Sequence, residues 1–158
     1  MSIPGMIATW GGSLTNIPAG WLLCNGLAVS QTQYQNLFSA IGFNFGANPP
    51  AGQFYLPDLR GRFVRGVDDG SGRDPDVATR TDMQNPGITS KGVGSVQSHA
   101  FQNHTHPYRA FPHDEGDIAS GRYWQAGQSE TDLADASKYQ VSSETRPINA
   151  YLYFIIAY

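Results

Sequence analysis

The sequence predicts an α+β protein made mostly of short strands and long loops, with one short helix. Its 158 residues include 18 glycines and 10 prolines, which interrupt the chain too often for a helical bundle. The apolar runs are short and are bounded by turn residues, as in small strands. Only one segment has the apolar period of an amphipathic helix. The length suits one domain with a modest core, or two small units that share one.

Two short strands are predicted near the amino terminus. Residues 3–10 run into Gly11-Gly12, which indicates a strand that ends in a turn. Residues 18–26 read Pro-Ala-Gly-Trp-Leu-Leu-Cys-Asn-Gly and give a second strand between turn residues. Cys24, the single cysteine, lies in an apolar context. It is therefore predicted to be a small buried hydrophobe and not a catalytic thiol.

The predicted helix follows directly. Ser30 as N-cap and Gln33 three residues later form a capping box. Apolar residues then recur at the spacing of one helix face, and Gly42 ends the segment. This apolar stripe, which must pack on the strands, consists of Tyr34, Leu37, Phe38 and Ile41.

Residues 54–66 mix large apolar side chains with three arginines. The segment is predicted to be a strand with a solvated basic face, whose Arg60, Arg62 and Arg65 pair with local carboxylates or backbone carbonyls. An acidic run follows, but it lacks the register of a calcium loop. Counted from Asp68, positions six and twelve are Arg73 and Thr79, where an EF-hand requires Gly and Glu.

The last eight residues, 151–158, are apolar at both odd and even positions. A strand with one solvated face would alternate with polar residues. We therefore expect this strand to be buried on both sides, either under loops of its own chain or in a subunit interface.

His104-Thr-His106 is the most distinctive local pattern. Residues two apart on a strand point to the same side, so the pair forms a two-imidazole claw. Two ligands do not complete a metal shell, and the chain has only four histidines and one cysteine. The economical source of further ligands is the same claw from two neighbouring copies around a threefold axis, which would give a six-histidine site. The alternative is a chance pair in a polar loop.

Residues 108–143 show no sustained period and combine aromatic side chains with acidic and small residues. This composition is typical of an elaborated loop. Tyr108, Tyr123 and Trp124 are the candidates for a recognition surface, because aromatic side chains offer large contact area at low entropy cost. The alternative is that these rings only hold the loop together.

Composition excludes several classes of function. A net charge of −3 and a pI of about 5.7 provide no basic stripe, so nucleic acid is not an expected partner. No apolar stretch reaches the length of a membrane span, and no signal-peptide pattern is present. We therefore expect synthesis in the cytoplasm and no membrane insertion.

Four stretches together resemble the phage tail-collar family, which includes the receptor-binding ends of short and long tail fibres and some bacterial microcystin-dependent proteins. They are residues 18–26; the helix to Gly42 with Phe43-Asn-Phe-Gly46; Leu56-Pro-Asp-Leu-Arg-Gly-Arg-Phe63; and the C-terminal Gly94-Ser-Val-Gln97, His104-Thr-His106 and Glu144-Thr-Arg-Pro147. The resemblance covers residues 3–106 and 144–158. The acidic residues that relatives often carry after the Gln are replaced here by Ser98-His99.

The resemblance implies a tail-collar-like domain over residues 1–67 and a His-x-His fibre-tip region over residues 68–158, with a receptor-binding loop inserted at 107–143. It implies an intertwined homotrimeric fibre tip in which His104 and His106 of three chains hold a divalent metal ion, iron or zinc, on the axis. Tyr108, Tyr123 and Trp124 would then contact a bacterial surface receptor such as a glycan. Other tail or baseplate proteins are the expected further partners, in a virion tail made in the host cytoplasm.

The leading expectation is therefore a receptor-binding tip of a phage tail or of a phage-tail-like particle. One alternative is a structural collar that joins fibre to baseplate. Another is a glycan-degrading enzyme, built from residues such as His113, Asp114 and Glu115. These residues lie in one polar run without a nucleophile-elbow pattern, so we expect no enzymatic activity.

Overall fold

A computed structural model describes residues 2–100 and 147–158 of the chain. These ranges contain one α-helix, α1 (Gln35–Ile41), and seven short strands, which confirms the predicted α+β class. Residues 1–100 and 150–158 form one compact unit. The strands are β1 (Ile7–Trp10), β2 (Trp21–Leu23), β3 (Ala28–Ser30), β4 (Gln53–Tyr55), β5 (Thr81–Asp82), β6 (Ser95–Val96) and β7 (Tyr153–Ala157).

The main sheet has the strand order β1-β7-β2, and both of its contacts are antiparallel. The last strand of the chain is thus the central one. Its register pairs Ile156 with Ile7 on one side and with Leu22 on the other. Two further antiparallel pairs, β3 with β4 and β5 with β6, complete the described strands.

The two-sided burial predicted for residues 151–158 is confirmed only for the second half of the final strand, because Tyr153 and Tyr158 are each 43% exposed. Ile155, Ile156 and Ala157 are each at most 3% exposed. The two residues before the strand, Tyr151 and Leu152, remain exposed. The chain's own residues therefore bury the second half of β7, while the two residues that precede β7 are exposed to solvent.

The core lies where α1 packs against the β3–β4 pair and β7. The Phe38 ring lies 5.2 Å from that of Phe54 between centroids, and Leu37 is fully buried. The predicted helix stripe is confirmed, because all four of its residues belong to this core or pack against it. The buried cluster consists of Cys24, Leu37, Ile41, Phe45, Phe54, Leu56 and Ile156.

The predicted start of the helix is wrong by several residues. Ser30 ends β3, where it pairs with Gln53. Its backbone therefore belongs to the strand pair and not to the helix. Its Oγ does accept the N–H of Gln33 at 3.3 Å, but this bond closes a turn, and α1 begins only at Gln35. The end is as predicted. The Gly42 N–H donates to the Phe38 carbonyl at 2.8 Å, and Gly42 has a positive φ of 51°.

The strand predicted over residues 54–66 is also wrong beyond Tyr55, where β4 ends. Pro57 offers no backbone donor to continue a ladder. Asp58 then caps a turn, accepting both the backbone N–H and the side chain of Arg60. The predicted partners are found for two arginines. Arg60 Nε lies 2.8 Å from the Asp58 carboxylate, and Arg65 donates to a backbone carbonyl at 3.3 Å.

Asp68 serves as the cap of a turn. Its carboxylate accepts the Ser71 hydroxyl at 2.8 Å and the backbone N–H groups of Gly72, Arg73 and Asp74 at 2.7 to 3.1 Å. These bonds, the Ser71 hydroxyl first, lower the pKa of Asp68. The acidic run thus has a local backbone role. Within the described ranges, no helix is long and apolar enough to cross a membrane.

Candidate functional site

All five site residues that the sequence predicts lie in residues 101–146, outside the described part of the chain. They are His104, His106, Tyr108, Tyr123 and Trp124. The metal site and the receptor surface therefore stay predictions, as does the domain boundary at residues 67 and 68. The structure describes the residues that precede this segment, up to Ala100, and the strand that follows it.

The segment that leads to the predicted claw is tied to the first part of the fold by Asp82. This carboxylate is buried. It accepts the backbone N–H of Ala47 at 3.0 Å, that of Gln84 at 2.9 Å and that of Asn85 at 2.8 Å. One acidic side chain thereby satisfies donors from two segments 35 residues apart.

Two further bonds join the segment after β5 to earlier parts of the chain. The Asp58 N–H donates to Met83 Sδ at 3.0 Å, and Gln84 Nε2 donates to the Gly26 carbonyl at 3.3 Å. The β5–β6 hairpin is therefore docked on the strands and turns that come before it. These hydrogen bonds cross the domain boundary predicted at residues 67 and 68.

A polar groove of about 610 Å³ opens beside the hairpin. Asp74 lines this groove and forms a buried ion pair with Arg80; the two side chains are 2% and 7% exposed. Gln97 also lines the groove and is held in place there, because its Nε2 donates to the Asp76 carbonyl and to Thr79 Oγ1, both at 3.2 Å. The lining carries both acidic and basic side chains, namely Asp74, Asp76 and Arg65.

An apolar groove of about 500 Å³ lies at the end of the main sheet. Trp10 is fixed there by a bond from its Nε1 to the Ser13 carbonyl at 3.1 Å. The groove could take apolar side chains or the apolar face of a sugar ring. Its other lining residues include Leu14, Leu23, Leu59, Tyr151 and Leu152.

The charged rim of this groove is an exposed ion pair. Arg60 donates to both carboxylate oxygens of Asp58 at 2.8 Å. This hydrogen bond is the main reason that the pKa of Asp58 is lowered. The pair is solvated, since Arg60 is 66% exposed, and its effect on stability is correspondingly small.

Cys24 also lines the groove, but it is not a nucleophile. Burial, with a smaller contribution from the Asp58 charge, raises the pKa of the thiol to about 12. A thiol with so high a pKa forms almost no thiolate near neutral pH. The prediction of a small buried hydrophobe is confirmed, because Cys24 belongs to the core cluster.

Large apolar side chains remain exposed on the described surface. Phe63 and Val64 follow the arginine-rich turn, and Tyr151 and Leu152 precede β7. Contiguous apolar patches mark interaction surfaces, whereas single exposed apolar residues are common on monomers. Among residues 2–100 and 147–158, no group of three or more His, Cys, Asp or Glu side chains is arranged to hold a metal ion.

Sequence reasoning missed Asp82 and the buried pair of Asp74 with Arg80. A weak signal was present for Asp82, because Asp and Asn three residues apart often bond to backbone groups of their own turn. Ala47, which donates to Asp82, lies 35 residues away. A local sequence pattern does not predict a hydrogen bond over such a separation.

Comparison with known proteins identifies the first part of the fold. Residues 5–64 match the Phage Tail Collar Domain. This segment runs from the turn before β1 to the exposed Phe63 and Val64. This match confirms, for residues 5–64, the resemblance to the tail-collar family that the motifs predicted.

Three relatives extend the match. The chain is 31% identical to protein RhiB of Rhizobium leguminosarum bv. viciae over 88% of its length and 64% of RhiB. It is 37% identical to the uncharacterized protein StfE of Escherichia coli K12, over 56% of this chain and 36% of StfE. It is 33% identical to the short tail fiber protein gp12 of Enterobacteria phage T4, over 70% of this chain and 21% of gp12. The chain thus spans less than two thirds of each relative.

Among solved structures, the C24 protein of the Antarctic microorganism Bizionia argentinensis covers 99% of this chain and 62% of its own. The TM-score is 0.37 and the identity 16%, a likeness too low to carry an argument about the fold.

Proposed function

We propose that the chain is the receptor-binding tip of a tail fibre, in a phage or a phage-tail-like particle, and that it attaches the particle to a bacterial surface. The observation that carries the proposal is the collar domain at residues 5–64 together with the similarity to a short tail fiber protein. Both support a tail-fibre-like, structural protein located in the virion tail.

In this proposal the working form is an intertwined homotrimer. The exposed side chains of Phe63, Val64, Tyr151 and Leu152 support it, because contacts between copies would remove this apolar surface from water. His104 and His106 of three chains would hold one divalent metal ion, iron or zinc. Imidazole suits either metal, and the ion would stabilise the assembled form because it binds only that form.

Receptor contact is assigned to Tyr108, Tyr123 and Trp124. Aromatic faces stack on the apolar side of sugar rings. Three copies of a weak site on one tip gain strength through effective concentration. A bacterial surface glycan is therefore the ligand class proposed.

The proposal includes no catalytic step. A turnover assay on capsular or lipopolysaccharide glycans tests this part: binding without product agrees with it, and release of shorter glycans contradicts it. The alternative role, a structural collar between fibre and baseplate, is favoured by the exposed apolar side chains of Ile3 and Met6 beside the edge strand β1. Antibody labelling of the particle separates the two roles, because the tip is distal and the adaptor proximal.

The direct test exchanges residues 108–139 for those of a relative with a different host and measures adsorption to both hosts. Host preference should follow the exchanged segment. Phe43→Ala, which removes an exposed aromatic ring outside this segment, is the matched control and should leave preference unchanged. An intact oligomer with unaltered host preference after the exchange would rule out the segment as the determinant.

A further inference from the structure

The collar domain has a slot in its main sheet that the last strand of the chain fills. β1 and β2 each pair with β7. Ile155 and Ile156 pair on both sides at once, with Ala8 and Ile7 in β1 and with two leucines in β2. Residues 5–64 thus supply both walls of the slot, and the strand between them comes from residues 153–157.

Backbone bonds hold the strand at its two ends as well. The Cys24 N–H donates to the Phe154 carbonyl at 2.9 Å, and the Tyr158 N–H donates to the Gly20 carbonyl at 3.0 Å. On the other wall, Ala157 donates to Met6 at 2.9 Å. An empty slot would leave these donors and acceptors without protein partners, which is costly at the buried Cys24 N–H.

The strand also supplies part of the core. Ile156 is 0% exposed and belongs to the same cluster as Leu37 and Phe54. The residues just before the strand, Tyr151 and Leu152, are exposed. Recognition is therefore concentrated in the strand and does not extend into the chain that leads to it.

We propose that the slot between β1 and β2 is a strand-binding site, which takes an extended apolar peptide antiparallel to both walls. The collar domain is completed only when such a strand enters, and a separate peptide of residues 151–158 can enter in place of the chain's own strand. This inference does not depend on receptor binding, on metal or on the oligomeric state.

The test uses the full-length variant Ile156→Asp, which disables the chain's own strand and leaves both walls intact. A carboxylate at this position cannot be buried without a partner. The variant should lose its cooperative thermal transition and its near-ultraviolet circular dichroism. A fluorescent peptide of residues 151–158 with a lysine tail should restore the thermal transition and the circular dichroism signal. Binding should saturate at about one peptide per chain, because each slot between β1 and β2 takes one strand.

The matched control is Ile3→Asp, the same substitution at an isoleucine whose side chain is 65% exposed; it should keep the wild-type transition. A peptide with proline in place of Ile155 should not restore the Ile156→Asp variant, because proline cannot donate to a ladder. The inference is overturned if Ile156→Asp keeps the wild-type transition, if the peptide of unchanged sequence fails to restore it, or if the proline peptide restores it equally well.

Ile156→Ala covers the case in which the Asp variant aggregates. This variant loses packing volume but gains no charge, so the chain's own strand should be held less tightly. Labelled peptide should displace it at concentrations at least tenfold lower than those needed with wild-type protein. Equal displacement from both proteins would contradict the inference.

Discussion

Cys24 shows how burial controls a single residue. Its thiol has a pKa of about 12, so at pH 8 the thiolate fraction is on the order of one in ten thousand. The raised pKa makes the protonated form part of the fold. The associated stability is complete below the unfolded pKa of roughly 8.5 and is lost as pH rises towards 12.

We expect the folded protein to resist thiol-specific reagents at pH 8. Labelling with a chromogenic disulfide reagent should reach about one thiol per chain only in denaturant. Rapid labelling of the folded protein would contradict the burial of Cys24.

Two ion pairs predict contrasting effects on stability. Asp74 and Arg80 are almost completely buried, so Asp74→Asn leaves an uncompensated guanidinium in the interior and should cost roughly 3 to 5 kcal/mol of unfolding free energy. The exposed pair is the control: Asp58→Asn, opposite the solvated Arg60, should cost at most about 1 kcal/mol. Urea unfolding measures the loss of unfolding free energy in both variants. Equal losses would show that burial of the ion pair does not determine its contribution to stability.

At the scale of elements, the docking of the β5–β6 hairpin depends on a close backbone approach. A Cβ on Gly94 would clash with the Asn44 carbonyl oxygen. Gly94 also has a φ of +83°, a left-handed conformation that side-chain-bearing residues rarely adopt. Gly94→Ala should therefore destabilise the protein by about 1 to 3 kcal/mol or undock the hairpin. Gly92→Ala is the matched control, because nothing lies within 4 Å of its Cβ position. Urea unfolding and amide hydrogen exchange of residues 81–96 measure both effects, and similar behaviour of the two variants would contradict the close contact.

The elements differ in how far the sequence predicts them. The apolar stripe of α1 is a local pattern and is confirmed. The two-sided burial predicted for residues 151–158 is also a local pattern, and it is confirmed only for Ile155, Ile156 and Ala157. The predicted start of α1 is wrong because Ser30 pairs with Gln53 in the β3–β4 ladder. The local capping pattern gives no sign of this pairing. The central position of β7 and the docking through Asp82 depend on contacts far apart in sequence. A local period carries no information about such partners.

At the scale of the whole molecule, the collar domain at residues 5–64 is only part of a working unit. Its central strand comes from the end of the chain, and the β5–β6 hairpin docks on it. Both the chain that enters residues 101–146 and the chain that leaves them are thereby anchored in one fold. A loop segment carried in this way can change its sequence without changing the fold that carries it.

The proposed assembly makes a specific prediction about His104 and His106. Metal binding requires neutral imidazole, so acid below a pH of about 6 should release the ion. Replacing both histidines by alanine should remove the metal and lower the thermal midpoint or the yield of the oligomer. His99→Ala, at a described and exposed histidine, is the control and should retain the metal. A double variant with wild-type metal content and stability would place the site elsewhere.

The most direct test of the proposed tail-fibre tip is the solution mass of the full-length chain, measured by sedimentation equilibrium together with its metal content. A chain of 17.2 kDa should sediment at three times that mass, with about one metal ion for every three chains, as a shared threefold site requires. A stable species with the mass of one chain at micromolar concentration would contradict both the trimer and its shared metal site.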